Sequence, residues 1–192
     1  MILRLGRAGA GRATGPLAVW AGWERLMLRR HPLREARPGG LLLFRVEHQR
    51  GADHRLKDGS LVRHGDPIVE LHLANRRLLA MRTEPGYSTW RVMRTLRSDL
   101  VALGQRIAAG ELGPVAALHG VSLIGAGGGL AGFEVGELPH TWRTALERYF
   151  LAGLDAVYHP AGLDRLRGRA RERWPAEVWM SSSHAAALGN RR

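Results

Sequence analysis

The sequence predicts an α+β fold: one compact domain in which a small antiparallel sheet, a meander plus a hairpin, packs against several helices. Segments that alternate apolar and polar residues are mixed with segments of helical periodicity, without the regular β–α alternation of a doubly wound sheet. The chain has 192 residues and is 45% hydrophobic, so it can bury one core without disulfides or a metal.

The N-terminal part is expected to be a tail followed by a helix. Residues 1–14 are rich in Gly and Arg without an apolar period, so we expect a disordered tail and a single domain over residues 15–192. Pro16 suits the first turn of a helix. The apolar run 17–23 is too short to cross a membrane and is interrupted by Glu24. We therefore expect a soluble, cytoplasmic protein with no transmembrane segment.

The next elements are predicted to be strands. Residues 41–50 and 68–73 alternate apolar and polar side chains, as half-buried strands do. Turn signatures occur between them, at residues 57–60 and 64–67. The stretch 41–75 is therefore predicted to form a small antiparallel meander. Its apolar faces are Leu42, Phe44 and Val46 on the first strand and Val69, Leu71 and Leu73 on the last.

The second half of the chain is predicted to be mainly helical. The longest helix is predicted over residues 88–109, where apolar residues recur every three or four positions and Gly110 offers a stop. Serines 181–183 are expected to cap the last helix. The other predicted elements are a short helix at 112–120, a helix at 140–158, a basic amphipathic helix at 163–174, a strand at 176–181 and a helix at 184–188.

Residues 121–136, VSLIGAGGGLAGFEVG, contain a literal G-x-G-x-x-G over Gly127–Gly132. A dinucleotide-binding loop also needs a helix that begins inside the glycines and an acidic residue about 20 positions later. Here a strand-like segment and Pro139 follow instead. We interpret the stretch as a hairpin whose glycines supply positive φ angles. No cofactor is therefore expected.

The formal charge of +12 could attract nucleic acid, anionic lipid or an acidic polymer. However, Lys57 is the sole lysine, and a chain rich in Ala, Gly, Leu and Arg is also what a GC-rich genome encodes. Nucleic acid is therefore not the favoured partner, and Arg91, Arg94 and Arg97 on the longest helix are interpreted as a solvated face. The absence of cysteine excludes disulfides, thiolate nucleophiles and Cys-ligated metals.

The side chains best suited to catalysis or ligand binding lie in and around the strand IVELHL. Glu70 and His72 share one strand face, about 6 to 7 Å apart. Asp66 lies in the preceding turn and Asn75 at the strand's end. A carboxylate beside an imidazole can orient a general base or supply two metal ligands. Glu70, His72 and Asp66 are therefore candidate catalytic residues.

Two other interpretations of the Glu70–His72 pair stay open. A metal would need a third ligand, which His54, His64 or His159 could supply only through the fold, so no metal site is predicted. Alternatively, the two residues form a polar sheet face or a buried hydrogen-bonded pair. The chain has no G-x-S-x-G elbow, no H-E-x-x-H helix and no Walker loop.

The ordered series of motifs resembles the YkoP-like domain family over about residues 16–188. The most specific piece is the run GD-x-I-x-E-L-H-L-x-N at residues 65–75, supported by YHP at 158–160 and P-x-E-V-W at 175–179. The positions that match this signature are Gly65, Asp66, Glu70, His72, Asn75 and His159. Of these, Asn75 and His159 are the candidate binding residues.

The resemblance implies a role in the bacterial cell envelope. The family occurs as free-standing proteins and as a domain attached to polysaccharide deacetylases, so the resemblance implies an accessory or binding module with an envelope glycan or such a deacetylase as partner. The resemblance gives no catalytic residues to carry over to this chain. The metal-binding Asp/His motifs of the deacetylase domain itself are absent from the sequence. The alternatives are a small acid/base or metal-dependent hydrolase or transferase that uses Glu70 and His72, and a basic polyanion-binding protein. The sequence does not decide whether the protein is an enzyme.

Overall fold

The computed structural model confirms the predicted α+β class. Its described part contains a six-stranded mixed sheet, a two-stranded sheet and three helices. No helix in this part is long and apolar enough to span a bilayer. The structure describes residues 32–122, 132–138, 140–142, 144–145, 148 and 174–190.

Several sequence predictions lie wholly or mostly outside the described residues. These are the tail at 1–14, the helix that begins at Pro16, the glycine run, most of the helix at 140–158 and nearly all of the basic helix at 163–174. They remain predictions, as does the division into tail and domain.

The six-stranded sheet has the spatial order β1-β2-β5-β6-β8-β7. Its strands β5 and β6 are parallel, and every other neighbouring pair is antiparallel. The smaller sheet pairs β3 with β4. The strands are β1 Arg34–Glu35, β2 Leu42–His48, β3 His54–Arg55, β4 Leu61–Val62, β5 Pro67–Leu73, β6 Ala117–Ser122, β7 Glu134–Glu137 and β8 Ala176–Ser181.

The predicted meander needs one correction. The two alternating runs do pair with each other in antiparallel fashion, with Phe44 opposite Leu71. The residues between them, however, leave the sheet and form the separate β3–β4 pair. The reason is that Leu56 and Val62 are buried against the face of the main sheet rather than in line with it.

The predicted hairpin over residues 121–136 and the predicted short helix over 112–120 are both wrong. β8 lies between β6 and β7, because Val121 and Gly136 both pair with Glu177. Residues 117–122 form β6, which pairs with β5 on one side and β8 on the other. Backbone pairing on both sides fixes this segment as a central strand, which local apolar spacing does not reveal.

The predicted long helix and the last helix are confirmed. The helices are α1 Asn75–Thr83, α2 Thr89–Ala108 and α3 Ser182–Asn190. Ser88 caps α2 by accepting a hydrogen bond from the Arg91 backbone N–H at 3.1 Å, and Gly110 follows its end with φ of 73°. Ser181 accepts a bond from the His184 N–H at 3.2 Å, so the predicted serine cap of the last helix is present.

Helices α2 and α3 cover one face of the main sheet, here named the helix-covered face. The helices cross closely because both contact positions are glycine: a Cβ on Gly104 would overlap the Ala185 carbonyl, and one on Gly189 would overlap the backbone of α2. The buried core of this face comprises Leu42, Phe44, Val69, Leu118 and Met180 from the sheet and Leu100, Leu103 and Ala185 from the helices.

A buried carboxylate fixes α2 to the edge of the sheet. Asp99 is fully buried and accepts hydrogen bonds from the backbone N–H groups of Leu41 at 2.6 Å and Leu42 at 3.0 Å. It also accepts one from Arg37 Nε at 3.0 Å. These three donors offset the cost of burying the carboxylate, so Asp99 orders the turn between β1 and β2.

Among the described residues, the small sheet covers part of the opposite face of the main sheet. Leu56 and Val62 of the small sheet pack against Ile68, Ala117 and Trp179, which forms a second apolar cluster. Beyond this cluster the same face carries charged and imidazole side chains. That polar part is where the candidate site lies.

Candidate functional site

The register of the main sheet lines up polar side chains from neighbouring strands. Arg45 pairs with Glu70, Glu70 with His119, His119 with Trp179, and Trp179 with Glu134. Paired residues point to the same side of a sheet, so this row runs across five strands on one face. His72 lies two positions from Glu70 on β5, and Glu177 lies two positions from Trp179 on β8. Both therefore point to the same side of the sheet as this row. We name Arg45, Glu70, His72, His119, Glu177 and Trp179 the polar face.

Glu70 is the best-connected carboxylate of the polar face. Arg45 Nε donates to Glu70 Oε2 at 2.6 Å, and His72 Nε2 lies 3.5 Å from Oε1, an ion-pair distance. Burial by itself raises the pKa of Glu70, but its interactions with His72 and with the Arg45 guanidinium outweigh burial and lower the pKa from 4.5 to about 2. Glu70 is therefore ionised at any physiological pH.

A second carboxylate–imidazole pair lies beside the first. His119 Nε2 is 3.7 Å from Glu177 Oε2. This pair joins two strands, β6 and β8, whereas Glu70 and His72 both lie on β5. Interaction with His119 lowers the pKa of Glu177 below its usual value, against burial, which raises it. The polar face therefore presents two ionised carboxylates, each with its own imidazole.

Trp179 contacts both His119 of the second pair and His54 of the small sheet. The His54 ring stacks on its indole at a centroid distance of 4.7 Å and 17°, and the His119 ring lies 4.1 Å away at 34°. The indole is only 3% exposed. Among the described residues, Trp179 Nε1 and His72 Nε2 are buried nitrogens without a partner in hydrogen-bond geometry.

These side chains can form hydrogen bonds and exchange protons. Carboxylates accept, guanidinium donates, and imidazole does either according to its tautomer. The described ranges contain no group of three or more His, Asp or Glu residues placed to hold a metal ion. The geometry thus offers an array of donors and acceptors for a polar ligand.

Two of the residues predicted from the sequence, Glu70 and His72, converge, whereas Asp66 does not join them. Glu70 and His72 are neighbours on the polar face. Asp66 closes the turn before β5, where its Oδ2 accepts from the Arg63 N–H at 2.7 Å, and four strand positions, about 13 Å, separate it from Glu70. Asn75 is the first residue of α1. His159 lies outside the described residues.

Two of the three histidines considered as further ligands, His54 and His64, lie within the described residues. His54 stacks on Trp179 as described above. His64 lies in an exposed turn, where its Nδ1 is 3.2 Å from the Gly51 carbonyl oxygen. Neither imidazole is placed to complete a metal site with Glu70 and His72 within the described part of the chain.

The sequence interpretation missed four members of the polar face: Arg45, His119, Glu177 and Trp179. A signal existed for two of them, because Glu177 and Trp179 alternate in AEVWMS just as Glu70 and His72 do in IVELHL. His119 was hidden by its assignment to a helix. Arg45 lies opposite Glu70 only once β2 and β5 are paired in register.

Fold and site together define a class of protein: a small α+β domain with one face of its sheet closed by helices and the other presenting paired carboxylates and imidazoles. A family model for the YkoP domain matches residues 14–187. The chain belongs to the YkoP domain family. No curated protein and no solved structure gives a significant match to it.

Proposed function

We propose that this YkoP-domain protein is an accessory module that binds a bacterial cell-envelope polysaccharide through the polar face. The observation that carries the proposal is the juxtaposition of two carboxylate–imidazole pairs, Glu70–His72 and Glu177–His119, on neighbouring strands. The resemblance of the sequence motifs to a family associated with polysaccharide deacetylases supports the same role. Such a module would hold the polymer for a deacetylase partner.

The chemistry of the polar face suits sugar hydroxyls. A hydroxyl both donates and accepts, so it pairs with an ionised carboxylate on one side and with guanidinium or imidazole on the other. The side chains of Arg45, Glu70, His119 and Glu177 are 20 to 27% exposed and that of His72 is 37% exposed. They are thus held in place by their neighbours and still reachable by a ligand.

The extent of the polar face fits an extended chain of sugars. From Arg45 on β2 to Glu177 on β8 it crosses four adjacent strands, about 14 Å. A ligand that lies across the strands would meet carboxylates and donors in alternation. This arrangement supports a polymer more than a single small metabolite, for which a closed pocket is typical.

Calorimetric titration with oligosaccharides tests the proposal. The probes are N-acetylglucosamine oligomers and their deacetylated counterparts, with Glu70→Gln and Glu177→Gln as variants. Each variant removes a charge-assisted hydrogen bond and should weaken binding about tenfold. Glu137→Gln is the matched control, since Glu137 is an exposed carboxylate on β7 that points to the other side of the sheet. The proposal fails if neither oligomer series binds, or if all three variants bind alike.

A second candidate function is acid–base catalysis, as a small hydrolase or transferase. The observation that favours it is the contact between the ionised Glu70 and His72, because such a carboxylate can orient an imidazole as a general base. Product analysis after incubation with the same oligosaccharides tests this reading. Turnover lost in His72→Ala and retained in His64→Ala, a histidine of an exposed turn, is the expected result. Absence of any His72-dependent product would reject it.

A further inference from the structure

A shallow cleft opens on the helix side of the molecule, between α2 and the turn that connects β1 to β2. Its volume is about 410 Å³, and it is lined by Arg37, Arg94, Thr95 and Ser98. No carboxylate is among these lining residues. The cleft is separate from the polar face, since α2 packs on the opposite side of the sheet.

Neighbouring acids neutralise the charge of this cleft only in part, because Asp99 forms an ion pair with Arg37 at 3.0 Å. Arg94 and Arg97 are exposed, and within the described ranges neither pairs with a carboxylate, whereas Arg91 pairs with Glu84 at 2.8 Å. Asp99 is the acidic residue of α2, and its oxygens already accept three hydrogen bonds. A local excess of positive charge therefore remains.

Asp99 also holds Arg37 in position. The bond runs from Arg37 Nε, so the two terminal nitrogens of the guanidinium are not used by this contact. The hydroxyls contribute differently, because Thr95 Oγ1 donates to the Arg91 carbonyl at 2.9 Å and Ser98 Oγ to the Arg94 carbonyl at 3.1 Å. Donors to a ligand therefore come from the two guanidinium groups, and the hydroxyls shape the floor.

We propose that this cleft binds a phosphate group, held between the guanidinium groups of Arg37 and Arg94. Arginine suits this ligand because its planar fork of N–H donors matches two oxygens of a tetrahedral oxyanion at once. The phosphate can belong to a free anion or phosphate ester, or to a lipid headgroup. The assignment does not depend on glycan binding by the polar face.

Titration of the full-length protein with inorganic phosphate, followed by backbone amide chemical shifts, tests the site. Shifts are expected in the turn at residues 36–42 and in the segment 91–99 of α2. Arg94→Gln should weaken binding about tenfold, because it removes one charge-assisted contact. Arg94→Lys keeps the charge without the fork of N–H donors. Its affinity for phosphate should lie between those of the unmodified protein and Arg94→Gln. Binding should also weaken as salt rises, because the cleft is open to solvent.

The control for general charge attraction is Arg63→Gln. Arg63 is an exposed arginine near the β4–β5 turn, whose backbone N–H contacts Asp66, so its removal changes net charge equally without touching the cleft. It should bind phosphate as the unmodified protein does. The site is overturned if phosphate shifts no amide near the cleft, or if Arg63→Gln weakens binding as much as Arg94→Gln.

Co-sedimentation with vesicles distinguishes the two sources of phosphate. Vesicles containing phosphatidylglycerol are compared with vesicles of phosphatidylcholine alone. Binding to the anionic vesicles that is lost in Arg94→Gln assigns a lipid headgroup, and phosphate binding without vesicle binding assigns a free anion or ester. Vesicle binding that is unchanged in Arg94→Gln counts against the cleft.

Discussion

The two faces of the main sheet are built from the same strands but are stabilised in different ways. On β2, Phe44 points to the helix-covered face and is fully buried among Val69, Leu118 and the two helices, whereas its neighbour Arg45 points to the polar face and pairs with Glu70. Burial of apolar surface stabilises the first face, while half-buried ion pairs contribute little or even cost stability. The helix-covered face thus stabilises the fold, and the polar face is the one proposed to bind a ligand.

Adjacent residues of β2 give the largest expected difference between the faces. Phe44→Ala should lower the free energy of unfolding by about 4 kcal/mol, because it leaves a cavity in the core. Arg45→Ala should lower it by about 1 kcal/mol, since the pair it breaks is partly solvated. Urea unfolding of both variants measures this difference. Equal losses would show that the polar face is part of the stabilising core.

The close crossing of α2 and α3 gives the next largest expected change in the free energy of unfolding. Gly104→Ala should lower the free energy of unfolding by about 3 kcal/mol, because the added Cβ overlaps the Ala185 carbonyl and must push the helices apart. Gly51→Ala is the control, since its Cβ meets only the flexible end of the Gln49 side chain. Urea unfolding of both variants separates the two. If Gly104→Ala unfolds like Gly51→Ala, the helices do not cross this closely.

The pH dependence of stability gives the smallest effect and belongs to the polar face. The pKa of Glu70 is lowered from 4.5 to about 2 in the folded protein, so its contribution is present above pH 4.5 and is lost as the pH falls towards 2. Glu70→Gln should therefore be less stable than the unmodified protein by about 1 kcal/mol at pH 6, and most of this gap should be lost by about pH 2.5. Urea unfolding at pH 6, 4 and 2.5 follows the gap. A gap that stays constant would contradict the ionised Glu70.

The fold class was predictable because alternation and helical periodicity are local. The strand at 68–73, the helix at 88–109 and the strand at 176–181 all appear close to their predicted bounds. Strand order was not predictable, because it depends on distant partners. The insertion of β8 between β6 and β7 joins segments more than 40 residues apart through Val121, Glu177 and Gly136, and nothing local to residues 121–136 indicates it.

The candidate site was predictable only where its residues are close together in the sequence. Glu70 and His72 share a face because they are two positions apart on one strand, and the sequence shows that directly. Arg45, His119 and Glu177 join them through cross-strand register, which requires the strand order. Asp66 was included because it is near in sequence, but its side chain closes a turn instead.

The proposed role of the polar face is to bind a polysaccharide. Its most direct test is a backbone amide chemical-shift map of the protein titrated with N-acetylglucosamine oligomers and their deacetylated forms. We predict saturable shifts on β5, β6 and β8 around Glu70, His119 and Glu177, with α2 unaffected. Shifts confined to α2, or none with either oligomer series at millimolar concentration, would contradict the claim.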